Sequence, residues 1–311
     1  MAPFDVSVVG ELNLDMIMSG LPRDLELDRE YLASDFSVTL GSSSAIFTHN
    51  LASLGSRVVF SSSIGDDSFG ESCVKLLESS GADLSGVRRV AGQLTGVTVI
   101  LPTPGSKRYI FTYPGTMATM SYDDLDLRYV LSARHFHLSS YFLHRALRPK
   151  IATLFQKAKD AGLTTSLDTN DDPEGSWAED VLDVLRFVDV LLPNQREACL
   201  MARTDDVNRA ADILSAKVPL LVIKRGADGA FARRGRELFE APPTRVDMID
   251  PIGAGDSFDA GFIHQFLRGQ GIETCLRFAN VTGALCATRA GGTEAFRDAA
   301  HRDQFLRENW K

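Results

Sequence analysis

A doubly covered α/β fold is what this sequence predicts: a central, mostly parallel sheet with helices on both faces and a small β-sheet lid. Three observations carry that reading. Short apolar runs alternate with amphipathic helical stretches through most of the chain. Two segments, about 11–40 and 92–115, break the rhythm with strand-like stretches separated by turn residues. No repeat, low-complexity tract or Pro/Gly/Ser linker divides the chain, so residues 1–311 are read as one domain with the lid inserted in its α/β core.

The elements follow in order. FDVSVVG (4–10) is a β-branched run closed by glycine, which suits a buried strand. SAIFTHNLASLG (44–55) reads as a helix stopped by glycine, and RVVFSSSIG (57–65) as the next strand. ASDFSVTLG, TGVTVILPT and RYIFTYPG supply strands for the lid. In the second half KIATLFQKAKDAG (150–162) is an amphipathic helix before the strand LTTSLD (163–168). FVDVLLP (187–193) is a further apolar strand, and VNRAADILSAK (207–217) a helix before the strand VPLLVIKRG (218–226). Strands joined by helices of this length form βαβ units, which require both faces of the sheet to be covered.

Composition narrows the function. Hydrophobic residues at 44% and charged residues at 24% are the balance of a soluble globular chain. A net charge of -8 gives phosphate backbones no basic face, so no nucleic-acid partner is expected. Cys73, Cys199, Cys275 and Cys286 lie far apart without zinc spacing, which fits free thiols in a reducing compartment. Neither a signal sequence nor a membrane-spanning run is visible, and a cytoplasmic protein with no membrane partner is expected.

DPIGAGDSFDAGF (250–262) carries the chemistry. In Gly253-Ala254-Gly255 minimal side chains let backbone N–H groups approach an anion, and the apolar run after them places those groups at a helix N-terminus. Asp256 follows directly. It can cap the helix, or it can take a proton from a hydroxyl that attacks a phosphoryl group. A cap alone requires neither the flanking glycines nor the small pair Ala260 and Gly261 one turn later.

The stretch from Asp250 to Gly261 closely resembles the C-terminal signature of the ribokinase family of carbohydrate kinases, also called the phosphofructokinase-B type. Similar motifs recur in the family's order along nearly the whole chain. The resemblance implies a ribokinase-like fold, ATP and Mg²⁺ as cofactors, and transfer of the γ-phosphoryl group of ATP to a hydroxyl of a small carbohydrate. It assigns Asp256 as the base and the Gly253, Ala254 and Gly255 backbone as the anion hole. Asn194-Gln195-Arg196-Glu197 is similar to the family's N-x-x-E motif, in which Asn194 and Glu197 help place Mg²⁺, water and nucleotide phosphates; read alone, it is a helix start with an acidic first turn. Lys224-Arg225-Gly226-Ala227-Asp228-Gly229 resembles the nucleotide loop, or else a plain hairpin turn. Asn280 matches a position near the nucleotide base or ribose. Asp250, Ile252, Cys286, Arg289, Gly291 and Ala295 match positions around a monovalent cation, so K⁺ is a candidate cofactor.

At the sugar end, Gly10-Glu11-Leu12-Asn13-Leu14-Asp15 resembles G-x-x-N-x-D, with Asn13 and Asp15 as partners of sugar hydroxyls; its local alternative is an Asx turn after the first strand. Gly41-Ser42-Ser43-Ser44-Ala45-Ile46 stands where the family carries a Gly-Gly pair and then an asparagine. Ser42 occupies the second glycine and Ile46 the asparagine, so a pocket less polar than a ribose pocket is expected, with the serines sharing the binding. Asp168-Thr169-Asn170, followed by Trp177, is similar to a D-x-N…W block without its usual arginine. Gly65 to Gly70 resembles the G-D-D-x-F-G turn. Two alternatives stand beside the sugar kinase: a nucleoside kinase whose base rests on Ile46 and Phe47, and a non-catalytic sugar or nucleotide sensor of the same fold. Relatives dimerise through such lids, and a homodimer is expected.

Overall fold

A computed structural model describes residues 2–103, 107–177 and 180–310 of the chain. β1 (Phe4–Val9) lies inside a nine-stranded sheet of order β13-β12-β11-β10-β9-β8-β1-β4-β5. The other members are β4 (Val58–Gly65), β5 (Asp83–Val90), β8 (Ala133–Leu138), β9 (Thr164–Leu167), β10 (Val190–Leu191), β11 (Leu220–Lys224), β12 (Ala230–Arg234) and β13 (Glu237–Ala241). All neighbours pair in parallel except β11 with β12 and β12 with β13.

Burial on both faces explains the continuous apolar runs. Along β10 and β11, Val190, Leu220 and Val222 enter one core while Leu191, Leu221 and Ile223 enter the other, as the two-residue period of a strand dictates. The first core is closed by α1 (Ser43–Ser53), α2 (Ser68–Glu78), α9 (Ala254–Phe266) and α10 (Ile272–Cys286). The second is closed by the short α4 (Leu127–Val130) with α5 (Ile151–Asp160), α6 (Asp180–Leu185), α7 (Gln195–Met201) and α8 (Val207–Ser215). α3 (Thr116–Thr119), α11 (Glu294–Arg297) and α12 (Ala299–Asn309) complete the helices named here.

The apolar run at 187–193 yields only the two-residue β10. Phe187 and Val188 are bound in a turn to Val184 and Leu185, and Pro193 has no N–H to extend the ladder.

β2 (Asn13–Ser19), β3 (Asp35–Leu40), β6 (Gly96–Thr103) and β7 (Lys107–Tyr113) form a separate four-stranded sheet of order β3-β2-β6-β7. Its register sorts the side chains. Val38, Met16, Val99 and Phe111 lie in one cross-strand row, so they share a face. Thr39, Asp15, Thr98 and Thr112 form the adjacent row and therefore face the other way. From that second face Ile17 and Ile100 pack on Ile252, the residue just before the glycine turn.

Candidate active site

The glycine turn opens α9. Gly253 is the residue before its first turn, with φ 74, and no side chain caps the helix there. Asp256 lies three residues further on, inside the first turn, so the capping role open to it in the sequence is not the one it fills. A Cβ on Gly253 would lie 2.6 Å from the Gly292 Cα, which adds a packing reason for glycine to the backbone one. The N–H groups of Gly255 and Asp256 have no carbonyl within their own helix to bind, because the first turn never supplies one. They form a positive, unpartnered helix end.

Asp256 is buried, and burial, reinforced by Asp168, pushes its carboxyl up to about 6, with Lys224 and a hydrogen bond from Ser43 opposing. Such a group is ionised at neutral pH yet basic enough to accept a proton. Ser43 in turn accepts from Asn170 Nδ2 at 2.9 Å. Ser257 is tied by Asn50, whose Nδ2 reaches Ser257 Oγ at 2.8 Å and the Gly292 carbonyl at 2.9 Å, fixing α9 to α1 and to the loop after α10.

The sugar-end candidates converge on the same place. Asn13 Nδ2 donates to Thr98 Oγ1 at 3.2 Å and to Asp15 Oδ1 at 3.4 Å. Gly41 lies directly against both: a side chain there would collide with the Asp15 carboxylate and come within 2.8 Å of Asn13 Nδ2. Burial, then the charge of Asp256, pushes Asp15 up to about 7, so the carboxyl groups on β2 and α9 feel each other. Polar groups from β2, the 41–44 turn and α9 thus lie close together.

The serine segment divides its tasks. Ser42 is the N-cap of α1, accepting from Ala45 N at 3.1 Å, and its hydroxyl donates to the Glu11 carbonyl. Ser44 is fully buried and donates to Glu11 Oε2 at 2.6 Å, so it is scaffold and has no face to offer a ligand. Ser43 alone of the three points its hydroxyl to Asp256.

Ile46 and Phe47 are corrections to the expectation of an apolar base pocket. Phe47 is 1% exposed and stacks on His137 with ring centroids 3.8 Å apart. Ile46 is 3% exposed and packs on Gly253 and Gly292. Both apolar faces are already closed by protein.

Lys224 is a second correction. It does not reach a nucleotide loop; its amine is buried beneath α9, donating to Asp168 Oδ2 at 2.7 Å and to Asp259 Oδ2 at 3.0 Å. Arg225 lies over the Phe231 ring and faces Glu240. From Gly226 to Gly229 the chain turns between β11 and β12, and Arg225 N donates to the Gly229 carbonyl at 2.8 Å. Gly229 presses on the 241–243 backbone, and Asn280, buried in α10, holds the same loop through the Ala241 and Pro242 carbonyls at 3.2 and 2.8 Å.

Asn194 and Glu197 form a reciprocal capping box at the start of α7. Burial, with Asp168, pushes the Glu197 carboxyl up to about 7. Among the described residues no three His, Cys, Asp or Glu side chains are grouped to hold a metal ion. A lone, water-bridging carboxylate still fits Mg²⁺, which takes most of its oxygens from water and phosphates.

At the cation candidates, Asp250 accepts from Ile252 N at 3.0 Å and Gly291 N at 2.9 Å. The Cys286 thiol lies within hydrogen-bond distance of the Ile252 and Gly292 carbonyls at 3.3 and 3.4 Å. One thiol proton serves two carbonyls, which leaves oxygen lone pairs suited to a hard monovalent cation. The Arg289 side chain turns away to Asp298, and Ala295 packs with Cys286 and Phe296. A cavity of about 610 Å³ beside α11 and α12 shares Arg289 with this loop, but its Arg289 and Arg297 already pair with Asp298 and Glu294 and it holds none of the groups around Asp256.

Two groups escaped the sequence reading. Glu11 is fully buried, accepting from Ser44, from Ser140 Oγ at 2.7 Å and facing His144 Nε2 at 3.3 Å. The Asp168–Lys224–Asp259 triad is the other. A charged residue inside the opening motif was the available signal for Glu11, and the second aspartate of GDSFDAG for Asp259.

Residues 4–299 match the family described as pfkB family carbohydrate kinase. An ATP-dependent ribose-1-phosphate kinase from Halopiger xanaduensis is 30% identical over 287 residues, covering 92% of this chain and 93% of that protein. Two solved structures share the fold. An adenosine kinase from Sinorhizobium meliloti has a TM-score of 0.86 at 21% identity, covering 97% of this chain and 100% of its own. Arabidopsis thaliana ribokinase complexed with ribose and ATP has a TM-score of 0.82 at 23% identity, covering 98% and 99%.

Proposed function

Since this chain belongs to the pfkB family of carbohydrate kinases, we propose that it moves the γ-phosphoryl group of ATP onto a sugar hydroxyl held beside Asp256. The observation that carries the reading is a buried carboxylate in the first turn of a helix whose Gly255 and Asp256 amides have no carbonyl of their own helix to bind. Asn13, Asp15, Gly41 and Ser43 border the sugar, with Ser42 and Ser44 holding the turn and Ile46 supporting the glycine turn from below. Asp256 accepts the hydroxyl proton, the hydroxyl oxygen attacks the γ-phosphorus, and the Gly253, Ala254 and Gly255 backbone offsets the charge that develops on the phosphoryl oxygens.

The nucleotide lies along the Gly226 to Gly229 turn toward Asn280, which frames the loop at 241–243. Glu197 and Asn194 would hold Mg²⁺ arriving with ATP, and the ion would supply positive charge to the phosphates. A K⁺ ion fits the carbonyl-rich loop of Asp250, Ile252, Cys286, Arg289 and Gly291. Closure of the four-stranded sheet over the cleft would exclude water and limit wasteful ATP hydrolysis.

The lid's outer row of Val38, Met16, Val99 and Phe111, with Phe36 and Tyr109 exposed beside it, supports a homodimer formed through this face. Four free thiols support a reducing compartment such as the cytoplasm, and no helix among the described residues is long and apolar enough to cross a membrane.

Consumption of ATP against a panel of sugars, sugar phosphates and nucleosides tests the reading. Asp256→Asn is expected to lower kcat by about 10²- to 10⁴-fold at saturating substrates. Near-normal turnover in that variant would remove the base assignment, and tight ligand binding without turnover in the wild type would favour a sensor.

A further inference from the structure

Lys224 ends β11 and carries its charge to the underside of α9. Its amine is 2.7 Å from Asp168 Oδ2 and 3.0 and 3.2 Å from the two Asp259 oxygens. A Cβ on Gly255 would stand 3.8 Å from that nitrogen, so the cation sits directly behind the backbone that leads into Asp256. A buried triad of this kind is weak support for stability, because apolar residues of similar volume often hold a core as well. Its place calls for another role.

The groups that bear on Asp256 come from every element around it. Ser43 on α1 hydrogen-bonds to it; Glu11 after β1, Asp15 on β2 and Asp168 after β9 are carboxyl groups; Cys286 on α10 is a thiol; Lys224 on β11 completes the set. Among these, Lys224 alone is a cation. We propose that Lys224 is a positioning residue for phosphoryl transfer, its charge clamped by Asp168 and Asp259 behind the Gly255 backbone, where it offsets the charge of Asp256 and adds positive potential at the N-terminal end of α9.

Lys224 gives up no proton in this scheme. The hydroxyl proton passes to Asp256, the hydroxyl oxygen bonds to phosphorus, and the electron pair of the broken P–O bond leaves on ADP. Burial favours a neutral amine, but Asp168 and Asp259 outweigh it and hold Lys224 protonated. Burial likewise pushes Asp259 up despite Lys224, whereas Asp168 is held down by Lys224 against its own burial. The triad therefore keeps a protonated amine between Asp168 and Asp259, directly behind the Gly255 backbone.

The inference rests on Asp256 being the base, and its test separates the two. In Lys224→Met the acid limb of the kcat–pH profile is expected to rise by about one unit or more. At pH 7 a one-unit rise leaves about half of Asp256 ionised, so kcat should fall about twofold or more while KM for ATP changes by less than about threefold. In Lys224→Met/Asp168→Asn, which removes one charge of each sign, the limb should return toward the wild-type position. A purely structural role would lower the melting temperature of both variants and leave the limb where it was, and that result overturns the proposal. If the single variant does not fold, Lys224→Gln decides: it removes the charge but keeps a donor for Asp168 and Asp259, so its limb must rise as well, and an unchanged limb or a changed KM at unchanged kcat counts against Lys224. A substrate-free readout uses ¹³C-aspartate protein, with the Asp256 carboxyl carbon assigned by its loss in Asp256→Asn. That carbon should titrate higher in Lys224→Met, and an unchanged titration overturns the inference even where no sugar is turned over, an outcome that would instead sink the kinase reading.

Discussion

Ile46 fills the space that a side chain on Gly292 would occupy, and its Cγ2 stands 3.2 Å from where a Cβ on Gly253 would lie. One isoleucine on α1 therefore sets the distance between the glycine turn and the loop after α10. Ile46→Ala should cost about 2–5 kcal/mol in urea unfolding, and kcat should fall because the turn loses its floor. Gly292→Ala should cost about 1–3 kcal/mol by overpacking, but the double variant should be less harmed than the sum, since the added methyl enters the vacated space. Strict additivity would show that the two residues do not share that space.

Ser42 carries φ 72 where the related motif has glycine. A non-glycine residue held there costs on the order of 1–3 kcal/mol, and exchanging a serine cap for glycine costs only a few tenths. Ser42→Gly is therefore expected to raise stability by about 1 kcal/mol, read from the urea midpoint. A loss of stability would mean that the hydroxyl's bonds to Ala45 N and the Glu11 carbonyl outweigh the backbone strain.

What could be read from the chain and what could not divide along physical lines. The glycine turn was legible because eight consecutive residues build it locally. Lys224 was misplaced because its partners, Asp168 and Asp259, lie 56 and 35 residues away and meet it only once the sheet forms. β8 escaped hydrophobic patterning for a related reason. His135 and His137 are fully buried in the middle of the sheet, tolerated because each is within 2.7 Å of the Ser166 hydroxyl on β9. Polar pairs that satisfy one another across strands leave no apolar run to detect. Ile46 was placed correctly in sequence and wrongly in task, since the motif does not reveal which face of α1 meets Gly292.

The outer row of the four-stranded sheet offers a direct test of the proposed dimer. Phe111 is 58% exposed in a face that also holds Val38 and Tyr109. Phe111→Glu should shift the protein from dimer to monomer in sedimentation or light scattering, with the fold retained. A wild-type monomer at assay concentration would remove this surface as the interface.

Glu11 makes the site sensitive to acid. Burial would raise its carboxyl, but His144, Ser44 and Ser140 outweigh burial and hold it at about 2, against 4.5 for a free glutamate. A depressed folded value stabilises the native state fully above pH 4.5, and that contribution disappears as pH falls through 2. It is worth about 3 kcal/mol. Glu11→Gln should therefore be markedly less stable than wild type at pH 7, and the gap should narrow steadily below pH 4.5. A gap independent of pH would assign the loss to packing around Ser44.

Asp256 has the opposite sign. Its folded carboxyl is pushed up to about 6 from 3.8, chiefly by burial and then by Asp168, so the native state is penalised wherever the group must be ionised. Below pH 3.8 folded and unfolded chains both hold the proton and the penalty vanishes. It grows between 3.8 and 6 and is complete above that, at about 3 kcal/mol. Asp256→Asn, which retains an acceptor for the Ser43 hydroxyl, should accordingly be more stable than wild type at pH 8. The advantage should shrink as pH is lowered through 6, and turnover should be lost throughout. The same carboxyl predicts a wild-type kcat that falls about tenfold per unit below pH 6. In its proposed role as base, Asp256 would be kept at the expense of the fold, the usual conflict between stability and activity. If Asp256→Asn proves no more stable than wild type at pH 8, the strain does not reside in this carboxylate, and its raised proton affinity would have to be abandoned along with the pH profile drawn from it.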